Sequence, residues 1–286
     1  MSINEEICEP LKEAIVAAGL DTVEGAFAYR QGEDLHKPGL GVRRRTRIEL
    51  TDSAGDTHML FLKRYGRERF GARLRRRLTY GQWATPGVVE YANVQAVGEA
   101  GIPTMAELAC GEDRQGRSFV LVTAVEGASL ETRAEDFFLR QQDDPERLER
   151  FTDALAELAQ RFHAAGFCHR DFYACHVFLD ERGGALDLSL IDLARVFSPR
   201  WRAFRWRVKD LAQLKYSMPP RWVEEQWVRF LGSYMGPDAP RRDLRRYELA
   251  IARKVALMES RRKTQPYRFE PTAHKRERTQ RTRRED

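Results

Sequence analysis

The residues able to do chemistry are concentrated in two short stretches, Phe167–Asp180 and Leu190–Leu193. Asp171 closes the string His169-Arg170-Asp171, and His176 follows it five residues later. Next come the apolar segment Val177-Phe178-Leu179 and then Leu188-Ser189-Leu190-Ile191, which ends on Asp192. Two carboxylates and an imidazole brought together by a short loop and a hairpin suit phosphoryl transfer. That reaction asks a protein for little covalent work. It needs one carboxylate at the attacking hydroxyl and further ligands holding a divalent cation against phosphate oxygens. Asp171 suits the first role and Asp192 the second. The hairpin that would deliver Asp192 beside Asp171 has its turn at Gly183-Gly184.

His-Arg-Asp alone is a weak signal in an arginine-rich chain, so its weight comes from what surrounds it. The order of parts matches a kinase catalytic loop and metal-binding strand. Upstream, Met59-Leu60-Phe61-Leu62-Lys63 is an apolar strand ending in a lysine that could contact the α- and β-phosphates of ATP. A solvated strand end is the plainer explanation, and Arg64 offers the same charge. From Val88 to Gly101 a helix is expected, with Val89, Asn93, Val94 and Val97 on one face, stopped by Gly101 and Pro103. Glu90 then falls in its first turn, where the helix dipole alone would favour a carboxylate. Its functional reading is an ion pair that orients Lys63. Downstream, Asp210 in Trp206–Leu214 is either a helix cap or an anchor fastening the catalytic loop from below.

Two strings, His169-Arg170-Asp171-Phe172-Tyr173-Ala174-Cys175-His176 with Ile191-Asp192-Leu193-Ala194-Arg195, and Arg205-Trp206-Arg207 with Lys209-Asp210-Leu211-Ala212, carry a family resemblance. From about residue 30 to about residue 260 the chain resembles the lipopolysaccharide core kinases that phosphorylate heptose or Kdo. The resemblance implies an α+β, bilobal, protein-kinase-like fold with a small β-rich N-lobe and a larger, mainly helical C-lobe. It implies ATP as phosphate donor, Mg2+ as cofactor and a sugar of the inner core as acceptor. On the matching positions Asp171 is the base and Asp192 the metal ligand. His176 stands where the second metal ligand normally sits, Lys63 binds phosphate and Glu90 pairs with Lys63. His169 and Asp210 are the structural anchors. Leu35-His36-Lys37-Pro38-Gly39-Leu40-Gly41 looks like an abbreviated glycine-rich loop, with Gly39 and Gly41 against the nucleotide, although a Pro-Gly turn explains it as well. Magnesium prefers oxygen, so His176 could instead bond the phosphates or Asp192. Only a short stretch separates Asp192 from Asp210, which leaves no room for the long segment that binds peptides in protein kinases. A kinase for another glycan, lipid or protein, and a nucleotide-binding pseudokinase, are the competing readings.

The elements that must position these groups divide the chain into four stretches. Residues 1–24 read as a helical extension with Ile7, Leu11 and Ile15 on one face, and 25–125 as the N-lobe. Residues 126–263 read as the C-lobe and 264–286 as a basic tail too polar to fold. Within the N-lobe, strands are expected from about Ala26 to Arg64. Ser118–Thr123 is a buried strand leading to a hinge at Ala124–Gly127, with Val122 and Thr123 the positions expected to meet adenine. In the C-lobe an acidic helix is expected around Glu131–Leu139. Phe151, Leu155, Leu158 and Phe162 then recur on one face of a helix ending at Gly166, with His163 structural.

The 286 residues suffice for two lobes, and no apolar run is long enough to span a bilayer. Met1–Glu6 lacks the basic start and apolar core of a signal peptide, so the cytoplasm is the expected compartment. Cys8, Cys110, Cys168 and Cys175 lack metal-ligand spacing and read as thiols. The formal charge of +6 is concentrated in Arg43–Arg47, Arg64–Arg77 and the tail. Anionic surfaces are the expected partners; taken with the resemblance, these are a glycolipid substrate and the inner face of the cytoplasmic membrane, on which the chain would sit peripherally, while solvated arginines with no partner are the competing reading. Phe70, Leu74, Leu78, Tyr80 and Trp83, interleaved with arginines, fit such an interface. Nucleic acid is disfavoured because no binding motif accompanies the charge.

Overall fold

A computed structural model describes residues 2–3, 9–35, 43–67, 70–80, 84–133 and 144–264. Ile7, Cys8, Gly39, Gly41, Trp83, most of the 131–139 stretch and the tail after residue 264 lie outside the described residues. The chain forms two compact units. One comprises residues 1–125 with Asp192–Phe197, and the other comprises 126–191 with 198–286.

The first unit is built on six antiparallel strands in the order β1-β5-β6-β4-β3-β2. They are β1 (Ser2–Ile3), β2 (Glu33–Asp34), β3 (Arg43–Thr51), β4 (Thr57–Tyr65), β5 (Glu107–Glu112) and β6 (Ser118–Thr123). Period-two alternation sorts β3 and β4 into two faces. Ile48, Leu60, Leu62, Phe119 and Leu121 share one face, and Leu11, Ile15, Leu20, Val23 and Ala26 pack onto it as one core. Each of these larger side chains contributes roughly 1.5–3 kcal/mol by leaving water. The packing residues come from α1 (Lys12–Ala17), α2 (Val23–Ala28) and the turns beside them. Alpha-helical α2 occupies the point where strands were expected to begin. Thr22 caps it by accepting the Gly25 N–H at 3.1 Å, and pairing starts only at Glu33.

The opposite face of the sheet carries Arg45, Lys63 and Tyr65 and is met by a helix that passes close to β6. After the exposed α3 (Phe70–Tyr80), α4 runs from Pro86 to Glu99. Proline at its first position starts α4 two residues before Val88, which moves Glu90 beyond the first turn. The helix dipole therefore does not account for Glu90, which is fully buried. Gly87 sets the approach of α4 to the sheet: a Cβ there would lie 2.7 Å from the Phe119 carbonyl oxygen. Its N–H also donates to Ser118 Oγ at 3.1 Å.

The second unit is mainly helical, with α5 (Pro145–Ala164), α6 (Ala203–Ser217), α7 (Pro220–Met235) and α8 (Arg241–Thr264) around a three-stranded sheet, β7 (Ala128–Ser129), β8 (Val177–Asp180) and β9 (Asp187–Leu190). Phe151, Leu155, Leu158 and Phe162 are all buried on α5, as the spacing requires. Its core includes Phe172, Phe230 and Trp222, whose indole N–H donates to Thr152 Oγ1 at 3.2 Å. The β8–β9 hairpin turns through Gly183 and Gly184, both at positive φ.

Gly87→Ala should lower the free energy of unfolding by about 1–3 kcal/mol, because α4 must retreat from the β6 backbone. Urea denaturation would measure this, and an unchanged midpoint would mean that α4 is not seated by that contact.

Candidate active site

Lys63 and Glu90 meet as a buried ion pair, Lys63 Nζ donating to Glu90 Oε1 while the two side chains are 8% and 0% exposed. The other carboxylate oxygen accepts from the Tyr65 hydroxyl, a partner that sequence reading missed although Tyr65 lies two residues from Lys63 on the same strand face. Burial first, and the Glu90 charge second, hold the Tyr65 hydroxyl well above the ordinary tyrosine range, so it stays a donor. Arg64, the neighbour of equal charge, points to the other face. It donates to the carbonyls of Ala26 and Tyr29, to Asp34 and to Thr46. Strand parity thus separates Lys63 from Arg64, and Lys63 is no solvated strand end.

Asp192 begins the short segment that returns to the first unit, and its φ of 59° is unusual for a residue with a side chain. Arg45 Nη2 lies 3.4 Å from Asp192 Oδ2, each side chain being 31% exposed. Past Asp192, the Asn93 side-chain amide of α4 donates to the carbonyls of Leu193 at 2.8 Å and Val196 at 3.0 Å. The helical spacing that put Asn93 on the inner face of α4 was visible in sequence. Its polar task was not.

In the second unit the loop carrying Asp171 is pinned from beneath. Asp210 Oδ2 accepts the His169 N–H at 2.6 Å, and Oδ1 accepts the Arg170 N–H at 2.8 Å. Asp210 is wholly buried and lies in the interior of α6, so helix capping does not explain it. Arg170 holds φ 69°, and Lys209 Nζ donates to its carbonyl. The His169 ring is buried and its Nε2 donates to the Ile191 carbonyl at 3.0 Å. Its plane stacks on His176 with centroids 5.8 Å apart. His176 Nδ1 donates to the Asp171 carbonyl at 2.7 Å. The His176 carbonyl accepts the Ile191 N–H at 3.0 Å, tying the loop to the strand that leads to Asp192.

The expected adenine positions differ from each other. Val122 is buried opposite Phe61 on the Lys63 side of the sheet, whereas Thr123 Oγ1 is engaged by the Ala106 N–H at 2.9 Å. His163 Nδ1 lies 2.9 Å from the Tyr234 hydroxyl, in line with a structural role. His163, Cys168 and Asp210 place ligand atoms within 4.8 Å of one another. They make a poor metal site, because burial pushes the Cys168 thiol up to about 12 and both Asp210 oxygens already accept backbone N–H groups.

An antiparallel sheet with a buried lysine–glutamate pair, followed by a mainly helical unit in which a buried aspartate holds a His-Arg-Asp loop, defines a protein-kinase-like fold. Residues 40–234 match the lipopolysaccharide kinase (Kdo/WaaP) family, and the chain belongs to that family. It is 34% identical over 173 residues to the lipopolysaccharide core heptose(I) kinase WaaP of Pseudomonas aeruginosa, covering 57% of this chain and 63% of that protein. It is 29% identical over 158 residues to the enzyme of the same name from Escherichia coli, covering 51% and 59%. The aligned part thus spans less than two thirds of these relatives' lengths. A solved structure of WaaP in complex with acyl carrier protein is 29% identical and superposes with a TM-score of 0.61, covering 90% of this chain and 96% of that one.

The raised Tyr65 value has a consequence for pH. A group whose pKa rises on folding contributes stability that is complete below its unfolded value and is lost as pH climbs toward the folded value. Stability should therefore fall above about pH 10, where unfolded tyrosine ionises. Tyr234, raised likewise by burial, contributes to the same fall. Tyr65→Phe should fall less steeply in urea titrations across this range. Equal slopes for the two proteins would exclude the hydroxyl from the linkage.

Proposed function

We propose that this chain is an ATP-dependent kinase that phosphorylates a heptose or Kdo hydroxyl of the lipopolysaccharide inner core. The observation that carries the reading is the buried Lys63–Glu90 pair in a chain of this family. A buried charge pair costs desolvation energy, and a lysine held in one direction by such a pair is suited to meeting phosphate. The acceptor class rests on the relatives, named as heptose(I) kinases.

In the proposed reaction Asp171 accepts the proton of the attacking sugar hydroxyl. The hydroxyl oxygen bonds to the γ-phosphorus as the bond to the β,γ-bridging oxygen breaks, and ADP departs with that electron pair. Lys63, oriented by Glu90 and Tyr65, meets the phosphate charge. On the same reading Gly39 and Gly41 belong to the sequence segment assigned to the phosphates, and Val122 and Thr123 border the adenine. The donors present fit magnesium in part. On this reading Asp192 would offer the hard oxygen it prefers, and a neutral His176 ring would offer a softer nitrogen as second donor. When bound, magnesium neutralises phosphate oxygens. His169 and Asp210 act by holding the loop, not by touching substrate.

Labelled γ-phosphate supplied with ATP and magnesium should appear on core glycolipids that lack inner-core phosphate, and Asp171→Ala should abolish it while ATP binding persists. Undiminished transfer by Asp171→Ala would sink the mechanism. ATP binding without transfer to any glycolipid would move the acceptor to another glycan, lipid or protein, or favour the pseudokinase.

The reading also puts the chain at the cytoplasmic face of an anionic membrane, where such an acceptor would be met. Phe70, Leu74 and Leu78 recur every fourth residue on α3 and are 77%, 39% and 78% exposed, with Arg73 and Arg77 exposed among them. No helix among the described residues is long and apolar enough to cross a membrane. Anionic vesicles should co-sediment the chain, and F70S/L78S should release it. Equal sedimentation by neutral vesicles, or by the double variant, would argue against this surface.

A further inference from the structure

Arg43, Arg45 and Arg47 alternate along β3 and lie opposite Tyr65, Lys63 and Phe61 in the register of β4, so all three share the Lys63 face. Their destinations differ. The Arg43 guanidinium lies over the Tyr65 ring, 5.4 Å from its centroid, and Arg47 pairs with Glu33 at 2.7 Å near the sheet edge. Arg45, directly across from Lys63, instead reaches Asp192. We propose that Arg45 is a second phosphate-binding cation of the nucleotide site, resting on Asp192 until a polyphosphate takes it.

The inference rests on the kinase reading and on three observations. Its cross-strand position puts Arg45 beside the residue that meets phosphate. Its contact with Asp192 is one-third exposed and longer than a close hydrogen bond, so it exchanges partners easily. A polyphosphate arriving with its divalent cation offers each member of the pair a better partner: the carboxylate turns to the cation and the guanidinium fork to phosphate oxygens, which it can grip through two parallel N–H groups. The chain also has an evident use for such a side chain. If Leu35–Gly41 is the abbreviated glycine-rich loop, its two glycines in place of three leave more of the phosphate recognition to side chains.

The test is calorimetric titration of the wild type, Arg45→Gln, Arg45→Lys and Arg47→Gln with adenosine, ADP and ATP, each with and without magnesium. Arg45→Gln should weaken ADP and ATP binding by about tenfold or more while adenosine affinity changes by less than about twofold. Arg45→Lys should recover part of the loss, and Arg47→Gln should behave as wild type because Arg47 lies opposite Phe61 and not Lys63 and meets Glu33 near the sheet edge. Unchanged ATP affinity in Arg45→Gln would reduce the contact to a structural ion pair. Tighter binding would make Arg45 an obstruction to the metal, and an equal loss for adenosine and ATP with an unchanged urea midpoint would leave Arg45 no role specific to phosphate. Each of these overturns the assignment while leaving the kinase reading intact. A wild type that binds none of the three ligands overturns both.

Discussion

The constraint on which the first unit depends is the burial of one charge pair. Lys63 and Glu90 lie almost wholly out of water, where an unpartnered ammonium or carboxylate would cost several kcal/mol. The surrounding construction keeps the two matched. Strand β4 fixes Lys63 by parity, with Arg64 turned the other way into its own set of carbonyl and carboxylate acceptors. Helix α4 fixes Glu90, and its depth depends on Gly87, which has no Cβ to hold the helix away from β6. Tyr65 completes the carboxylate on its second oxygen. An arrangement of this kind adds little net stability, but it sets the direction of the lysine, and direction is what the proposed phosphate recognition would require.

The second unit solves a similar problem with backbone groups. The Asp171 loop must hold a fixed shape although Arg170 sits in a backbone region that non-glycine residues seldom occupy. A buried Asp210 supplies the compensation by accepting two consecutive N–H groups, while Lys209 on the same helix holds the Arg170 carbonyl. Helix α6 thus grips both polar sides of the loop. The His169 ring adds a third tie through the Ile191 carbonyl, which couples the loop to the strand carrying the chain to Asp192.

What could be read from the sequence was spacing, and what could not was the identity of side-chain partners. The interval from Asp171 to His176, the hairpin glycines and the α5 stripe of Phe151, Leu155, Leu158 and Phe162 are local patterns, and local patterns survive without coordinates. Tyr65 and Asn93 escaped because each looked like an ordinary member of an apolar pattern, and only the third dimension shows what its polar atom meets. Arg45 was hidden among the arginines of β3, where composition suggests a general basic surface and alternation alone does not tell which guanidinium meets Asp192. Pro86, as a first-turn residue, starts α4 two residues before the apolar spacing from Val88 indicates, and the dipole explanation for Glu90 falls with it.

Helix α4 carries two responsibilities that could in principle have been separate. Through Glu90 it orients Lys63, and through Asn93 it holds the carbonyls of Leu193 and Val196 just after Asp192. Displacing the helix would therefore disturb Lys63 and the segment that begins at Asp192 together. In protein kinases the helix and a long activation segment are positioned by regulatory inputs, so that a misplaced helix is a usable off state. Here the interval between Asp192 and α6 is short, and its first residues are already tied to α4. Among the described residues α4 itself holds both groups, so under the proposed function a regulatory input on this helix would move the lysine and the Asp192 segment together.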